Sequence, residues 1–193
     1  MTAMKKIVCG IDEAGRGAMA GPLVAAAVIL PSRPLKIKIR DGKLLSARIR
    51  QKIYRRLKKM KAEIAIEVVS SRKINNRGIQ RANRMAMRSL IKRVEADRFI
   101  VDGNIKLGRI AGKRVKTLVD ADATVPEVIL AGIVAKVERD KIMRALHKQF
   151  PLYNWKRNAG YGTKQHLEAL KIHSTTIYHR SIFVTTALRY HTK

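Results

Sequence analysis

The sequence predicts an α/β protein, a mixed β-sheet with helices packed on its faces. Three observations carry this. Short apolar runs of strand length recur along the chain. Segments with an apolar stripe of helical period separate them. The resulting order, β-β-α-β-α-β-β-α-α, interleaves the two kinds as layered α/β architectures do.

Lys6 to Ile11 and Leu23 to Leu30 read as two buried strands. The glycine-rich segment "DEAGRGAMAGP" lies between them, so they should be antiparallel neighbours. Between Ser46 and Lys61, the spacing of Ile49, Ile53, Tyr54, Leu57 and Met60 is helical, with Arg and Lys on the other face. Glu63 to Val69, "EIAIEVV", begins with the alternation of a half-buried strand. Ile79, Ala82, Ala86, Leu90 and Val94 mark a second basic helix. "RFIVDG" (Arg98 to Gly103) and "VKTLV" (Val115 to Val119) are short strands that each lead directly to acids.

A long helix is expected from about Val125 to Gln149. Thr124 would be its N-cap, Glu127 would complete a capping box, and Pro126 falls in the first turn, where proline is tolerated. "FPLYNWKRNAGYGT" reads as a loop, and Lys164 to Ile172 as a last helix. No internal repeat or low-complexity linker interrupts the chain.

The chain has 193 residues, a length that suits one domain, and at this size it can bury enough surface to need no disulfide or structural metal. Cys9 is the only cysteine, which excludes an intrachain disulfide and favours a reducing compartment. The longest apolar run, Leu23 to Leu30, is too short to span a bilayer. No secretory segment develops before the acids at Asp12 and Glu13. The expectation is a cytoplasmic protein with no membrane partner. Forty-two Lys and Arg against fourteen Asp and Glu give a formal net charge of +28. That imbalance favours a polyanionic partner, since every neutralised phosphate releases counterions. It also favours a monomer, because like-charged copies repel. Charge alone fits a nucleic-acid binder or a ribosome-associated surface as well as an enzyme.

The few acids narrow this. Asp12, Asp102 and Asp120 lie in or just after predicted strands, and Glu13 and Asp122 follow within a few residues. Carboxylates at strand ends of an open α/β sheet meet in the crevice outside those ends. Asp140 continues the helical stripe of Ile129, Ile133 and Val137, so it should be paired with Arg16, Arg139 or Lys136, or bound to a metal. Several carboxylates gathered in one pocket repel, and divalent cations relieve the repulsion. Oxygen ligands favour Mg²⁺ or Mn²⁺, and two such ions suit phosphodiester hydrolysis. Gly15, Gly17 and Ala20 also satisfy a dinucleotide-turn spacing, but a strand follows instead of a helix, and the acids would repel a pyrophosphate.

"GIDEAGRGAMAGPLVAAAVIL", "FIVDGN", "DATVPEVILAGIVAKVERD" and "AGYGTKQHLEAL" together resemble the bacterial type 2 ribonucleases H (ribonuclease HII), in order and spacing, from about Ile7 to Phe183. The resemblance implies a ribonuclease H-like fold: a five-stranded mixed sheet flanked by helices, within one catalytic domain over 1–193. About 150–193 would form a C-terminal helical extension that contacts substrate. It implies metal-dependent hydrolysis of the RNA strand of RNA/DNA hybrids, and nicking 5′ of single ribonucleotides in duplex DNA, leaving 5′-phosphate and 3′-OH ends. Removal of ribonucleotides and primers from DNA would be its role.

By motif, Asp12, Glu13, Asp122 and Asp140 would be the catalytic, metal-binding acids, holding two Mg²⁺ or Mn²⁺ ions. Strand ends alone do not separate Asp102 or Asp120 from Asp122; the motif chooses Asp122 because it stands four residues before Pro126. Gly15, Arg16 and Gly17 would recognise the 2′-hydroxyl and its phosphate, with Tyr161 on the neighbouring deoxyribose and Lys43 as a further substrate contact. Trp155, Lys156, Arg157, Lys164 and His166 are candidates for a phosphate track.

The chain departs from the family pattern at Gly42, Leu44, Asp120 and Gly132, and in "YHRSIF". Two other readings therefore stand beside this one: a different two-metal nuclease on the same fold, and a non-catalytic basic nucleic-acid-binding protein.

Overall fold

The computed structural model describes residues 6–31 and 45–190. Five strands, β1 (Val8–Ala14), β2 (Leu23–Ile29), β3 (Glu63–Val69), β4 (Arg98–Asp102) and β5 (Val115–Leu118), form one sheet in the order β3-β2-β1-β4-β5. β1 pairs antiparallel with β2, and β2 antiparallel with β3. β1 to β4 and β4 to β5 are parallel, so the sheet is mixed and β1 lies at its centre.

The helices are α1 (Ala47–Lys59), α2 (Ser71–Arg77), α3 (Ile79–Arg93), α4 (Ala121–Thr124), α5 (Pro126–Gln149), α6 (Trp155–Asn158), α7 (Lys164–His173) and α8 (Ser181–Tyr190). β2 is apolar throughout because both its faces are covered. Leu23, Ala25 and Ala27 pack with Ala82, Ala86, Met87 and Leu90 of α3, whereas Val24, Ala26 and Val28 pack with α1 and with Ile129, Leu130, Ile133 and Val134 of α5. A third cluster joins Met19 and Ala20, after the glycine turn, to Met143, Tyr153, Trp155, Leu167, Leu170 and Val184. This cluster seats the C-terminal helices against the start of the chain. No helix among the described residues is long and apolar enough to cross a membrane.

Several local expectations change. β1 runs past Ile11 to Ala14, so Asp12 and Glu13 lie inside the strand rather than in the turn, opposite Ala26 and Ala25. Gly78 separates α2 from α3, and α2 is capped by the Ser70 side chain, which accepts from Lys73 N. Thr124 does not cap the long helix. It closes α4, and its hydroxyl donates to Asp120 O at 3.3 Å, while Val125 precedes α5 without a side-chain cap. The stretch expected as loop holds a 3₁₀ turn, Pro151–Tyr153, and α6. One more helix, α8, follows α7.

Candidate active site

The carboxyl ends of β1 and β4 open into a cavity of about 410 Å³. Asp12, Glu13, Asp102 and Asp122 line it, together with Gly15, Arg16, Gly17, Arg50, Gly132, Ile133, Lys136 and Tyr161. The strand register explains this gathering. Ile11 pairs with Val101, so the next residues, Asp12 and Asp102, emerge side by side. Asp102 pairs with Leu118 of β5, and α4 begins three residues further on, carrying Asp122. The Asp122 N–H donates to Asp102 Oδ1 at 3.2 Å, which ties the start of α4 to the end of β4.

Asp12 is partly exposed, yet its carboxyl is held well above the usual range. Desolvation is the main cause, followed by Glu13, Asp102 and Asp122 nearby, and the N–H of Glu13, donating to Asp12 Oδ1 at 2.7 Å, offsets only part of it. Glu13 is also raised by burial, against the opposing effect of Arg16, whose Nη1 stands 3.8 Å from Glu13 Oε1. On α5, a Cβ at Gly132 would stand 2.3 Å from Asp12 Oδ2, so the absence of a side chain there gives the carboxylate its present position.

Asp140 does not join this group. Asp12 rests against Gly132, and Asp140 lies eight residues further along the same helix, about 12 Å along its axis at 1.5 Å per residue. Its carboxylate instead takes Lys136 Nζ at 2.5 Å and Arg50 Nη2 at 3.8 Å. The expected ion pair with Lys136 is therefore present, and Asp140 steadies two cations that line the cavity rather than standing among its acids. Asp102, which strand-end reasoning raised and the motif set aside, takes its place. The signal was there: an acid ending a strand that runs parallel beside the Asp12 strand.

The Gly15–Gly17 turn forms the rim, with Arg16 and Gly17 exposed. Tyr161 is 37% exposed and lies with its ring 5.3 Å from the Arg139 guanidinium. The Tyr161 carbonyl meets His166 Nδ1 at 2.9 Å. Trp155 Nε1–H donates to His166 Nε2 at 3.1 Å, and His179 Nε2 lies 3.2 Å from the same nitrogen. This places the proton of His166 on Nδ1 and that of His179 on Nε2. His179 Nδ1 then accepts from the Thr176 N–H at 2.9 Å.

Trp155 and His166 are thus fully buried structural groups and not part of a phosphate track, because their polar atoms are already engaged. Lys156, Arg157 and Lys164 remain at the surface. Asp120 is exposed, in a left-handed conformation, and does not line the cavity. Lys43, with Gly42 and Leu44, lies outside the described residues.

The donor set is all oxygen, as Mg²⁺ or Mn²⁺ requires. Among the described residues no three candidate ligands already enclose a metal position. The repulsion acting on Asp12 is what a divalent cation would relieve.

Comparison with known proteins gives the family. The family model for ribonuclease HII matches residues 9–186. Ribonuclease HII of Wolbachia sp. subsp. Brugia malayi is 39% identical over 180 residues, spanning 92% of this chain and 87% of its own. The structure of the PCNA:RNase HII complex from Archaeoglobus fulgidus superposes with a TM-score of 0.80 at 27% identity, covering 90% of this chain and 93% of the other. The Mn²⁺ complex of Bst-RNase HIII shares the fold, with a TM-score of 0.72 at 18% identity over 96% of this chain and 70% of its own. The chain belongs to the ribonuclease HII family, and is a hydrolase of the endoribonuclease H type.

Proposed function

From that membership, we propose that the protein hydrolyses the RNA strand of RNA/DNA hybrids and nicks 5′ of single ribonucleotides embedded in duplex DNA, leaving 5′-phosphate and 3′-OH ends. The observation that carries the reading is the convergence of Asp12, Glu13, Asp102 and Asp122 on one cavity rimmed by a glycine-arginine-glycine turn. In this reading those four acids hold two Mg²⁺ or Mn²⁺ ions. Bound there, the ions would neutralise the carboxylates and supply Lewis acidity toward water and the leaving oxygen.

The chain's own residues supply position. Asp12, at the centre of the set, faces the other three acids. Lys136 and Arg50, braced by Asp140, offer charge to the phosphodiester, and among the described residues the enclosed Arg50 Nε has no hydrogen-bond partner of its own. At the rim, Gly15, Arg16 and Gly17 approach the ribose and its phosphate, since glycine lets backbone come close to a sugar edge and the 2′-hydroxyl is what distinguishes RNA. Tyr161 offers a partly exposed ring to the neighbouring sugar. The C-terminal elements from about residue 150 carry that tyrosine, and in this reading they form the substrate-contacting extension of a single catalytic domain. Net positive charge steers a duplex to a cytoplasmic monomer.

A nicking assay on a DNA duplex with one ribonucleotide, with and without Mg²⁺ or Mn²⁺, tests this. Metal-dependent incision 5′ of the ribonucleotide is expected. Binding without incision at every metal concentration would refute it, and so would cutting that ignores the ribonucleotide.

A further inference from the structure

Two arginines, Arg139 on α5 and Arg180 just before α8, are fully buried. Among the described residues, neither has a carboxylate within ion-pair distance. A buried charge without a counter-charge is costly unless its donors are all engaged. Here the acceptors are backbone carbonyls. Arg139 donates from Nε to Pro22 O at 2.9 Å, from Nη1 to Ala159 O at 2.8 Å and from Nη2 to Ala20 O at 3.0 Å. Arg180 donates from Nε and Nη2 to Gly21 O at 3.0 and 2.9 Å, and from Nη1 to Gly15 O at 2.7 Å and Arg16 O at 3.0 Å. The two guanidiniums thus hold most of the segment from Gly15 to Pro22 from its inner side. Gly15 makes this possible: its φ is +88°, and a Cβ there would stand 1.9 Å from Arg139 Nε.

The consequence follows from peptide geometry. In a trans peptide the carbonyl and the N–H point in opposite directions, and the described residues contain no cis bond. With the carbonyls of Gly15 and Arg16 drawn down onto Arg180, the N–H groups of Arg16 and Gly17 point the other way, toward the rim of the cavity. Two successive N–H groups facing one side make an anion-accepting concavity, and fixed positive charge beneath them strengthens it. Burial first, and then the charge of Arg139, lowers the Arg180 guanidinium to about 9.

We infer that Arg180, backed by Arg139, is a positioning residue that aims the Arg16 and Gly17 amides at the ribonucleotide, and so sets discrimination between ribonucleotide and deoxyribonucleotide. This rests on the reading of the turn as the ribose-recognition element. Lysine keeps the charge but lacks the planar fork that spans three carbonyls, so Arg180→Lys separates aim from charge.

The experiment measures kcat and KM on a one-ribonucleotide duplex, Kd for an all-DNA duplex, and the amide ¹H–¹⁵N resonances of Arg16 and Gly17, in wild type and in Arg180→Lys. Loss of hydrogen bonds that orient the turn should raise KM on the order of tenfold, with kcat changed less. Affinity for all-DNA duplex should hold within about twofold, since it rests on charge, and both amide resonances should move. Unchanged KM and unmoved amides in the variant would overturn the inference, as would a fall in kcat alone. Should the variant not fold, the wild-type amides decide: a larger shift with the ribonucleotide duplex than with all-DNA duplex supports the inference, and equal shifts overturn it. A wild-type protein that does not nick the ribonucleotide duplex sinks the functional reading itself. One that nicks while Arg180→Lys discriminates normally sinks only the role of Arg180.

Discussion

On the cavity side of the turn between β1 and β2, four carboxylates crowd together; behind the same turn, two guanidiniums lie buried. Both are clusters of like charge, but their chemistry differs. The guanidiniums are each held by three backbone carbonyls and so belong to the folded protein as it stands. The carboxylates are desolvated and also repel, so that the Asp12 carboxyl is raised by burial first and then by its acidic neighbours, and they gain from something that arrives. The first cluster is built for stability and aim, the second for binding. Changes to the two should therefore have opposite consequences.

The largest effect should come from the acids. Asp12→Asn and Asp102→Asn should each lower ribonucleotide nicking on the order of a thousandfold, equivalent to about 4 kcal/mol of barrier. Thermal stability should rise rather than fall, because a repelling charge is gone. Asp140→Asn should cost far less activity, about tenfold, and mainly through KM, since it only loosens Lys136 and Arg50. Single-turnover rates and melting curves of the three variants check this; an Asp140→Asn protein as inactive as Asp12→Asn would return Asp140 to the catalytic set.

The arginines come next, with the opposite sign. Arg139→Met leaves the carbonyls of Ala20, Pro22 and Ala159 without their donor, and should destabilise by about 3–5 kcal/mol, read from urea unfolding. A Met variant as stable as wild type would show that the guanidiniums are not structural.

A smaller effect concerns pH. His179 is lowered from its ordinary 6.5 to about 4, by burial first and then by His166. The unfolded chain therefore binds the proton more readily between those values. The contribution is present above about pH 6.5 and is lost as pH falls toward 4, at most about 3 kcal/mol. Urea midpoints across that range should fall in wild type more steeply than in His179→Gln, which retains a donor toward His166; parallel slopes would contradict the neutral pair.

The smallest effect is expected at Gly132. A methyl there meets only the tip of Asp12, which can rotate, so Gly132→Ala should change Mn²⁺ affinity a few-fold and stability by less than about 1 kcal/mol. Calorimetric titration with Mn²⁺ measures it, and an unchanged affinity would mean that the position of Asp12 does not matter.

Strands and long helices were readable because each depends on local apolar period. β3 begins and ends as its pattern indicates, and the α3 stripe from Ile79 is the buried face. The short elements α2, α4 and α6 were not, because one or two turns carry too little period to register. The C-terminal helix α8 falls in the helical extension that the resemblance implies, but apolar period did not mark it: Phe183 and Val184 are its inward contacts, and only the packing against Met19, Trp155 and Leu170 reveals them. At the site, adjacency in the chain made Asp12, Glu13 and the glycine turn visible. Asp140 misled because a helical stripe specifies a face and not a height along the axis.

The sequence by itself determined the α/β class, the family, the basic surface and the acids available for chemistry, since these rest on composition, local period and motif. Only the tertiary structure decided which acids meet, because the parallel register of β4 on β1 brings Asp102 beside Asp12 while the length of α5 carries Asp140 away. It also decided the partners of Arg139 and Arg180, because carbonyl acceptors belong to every residue and leave no mark in the sequence.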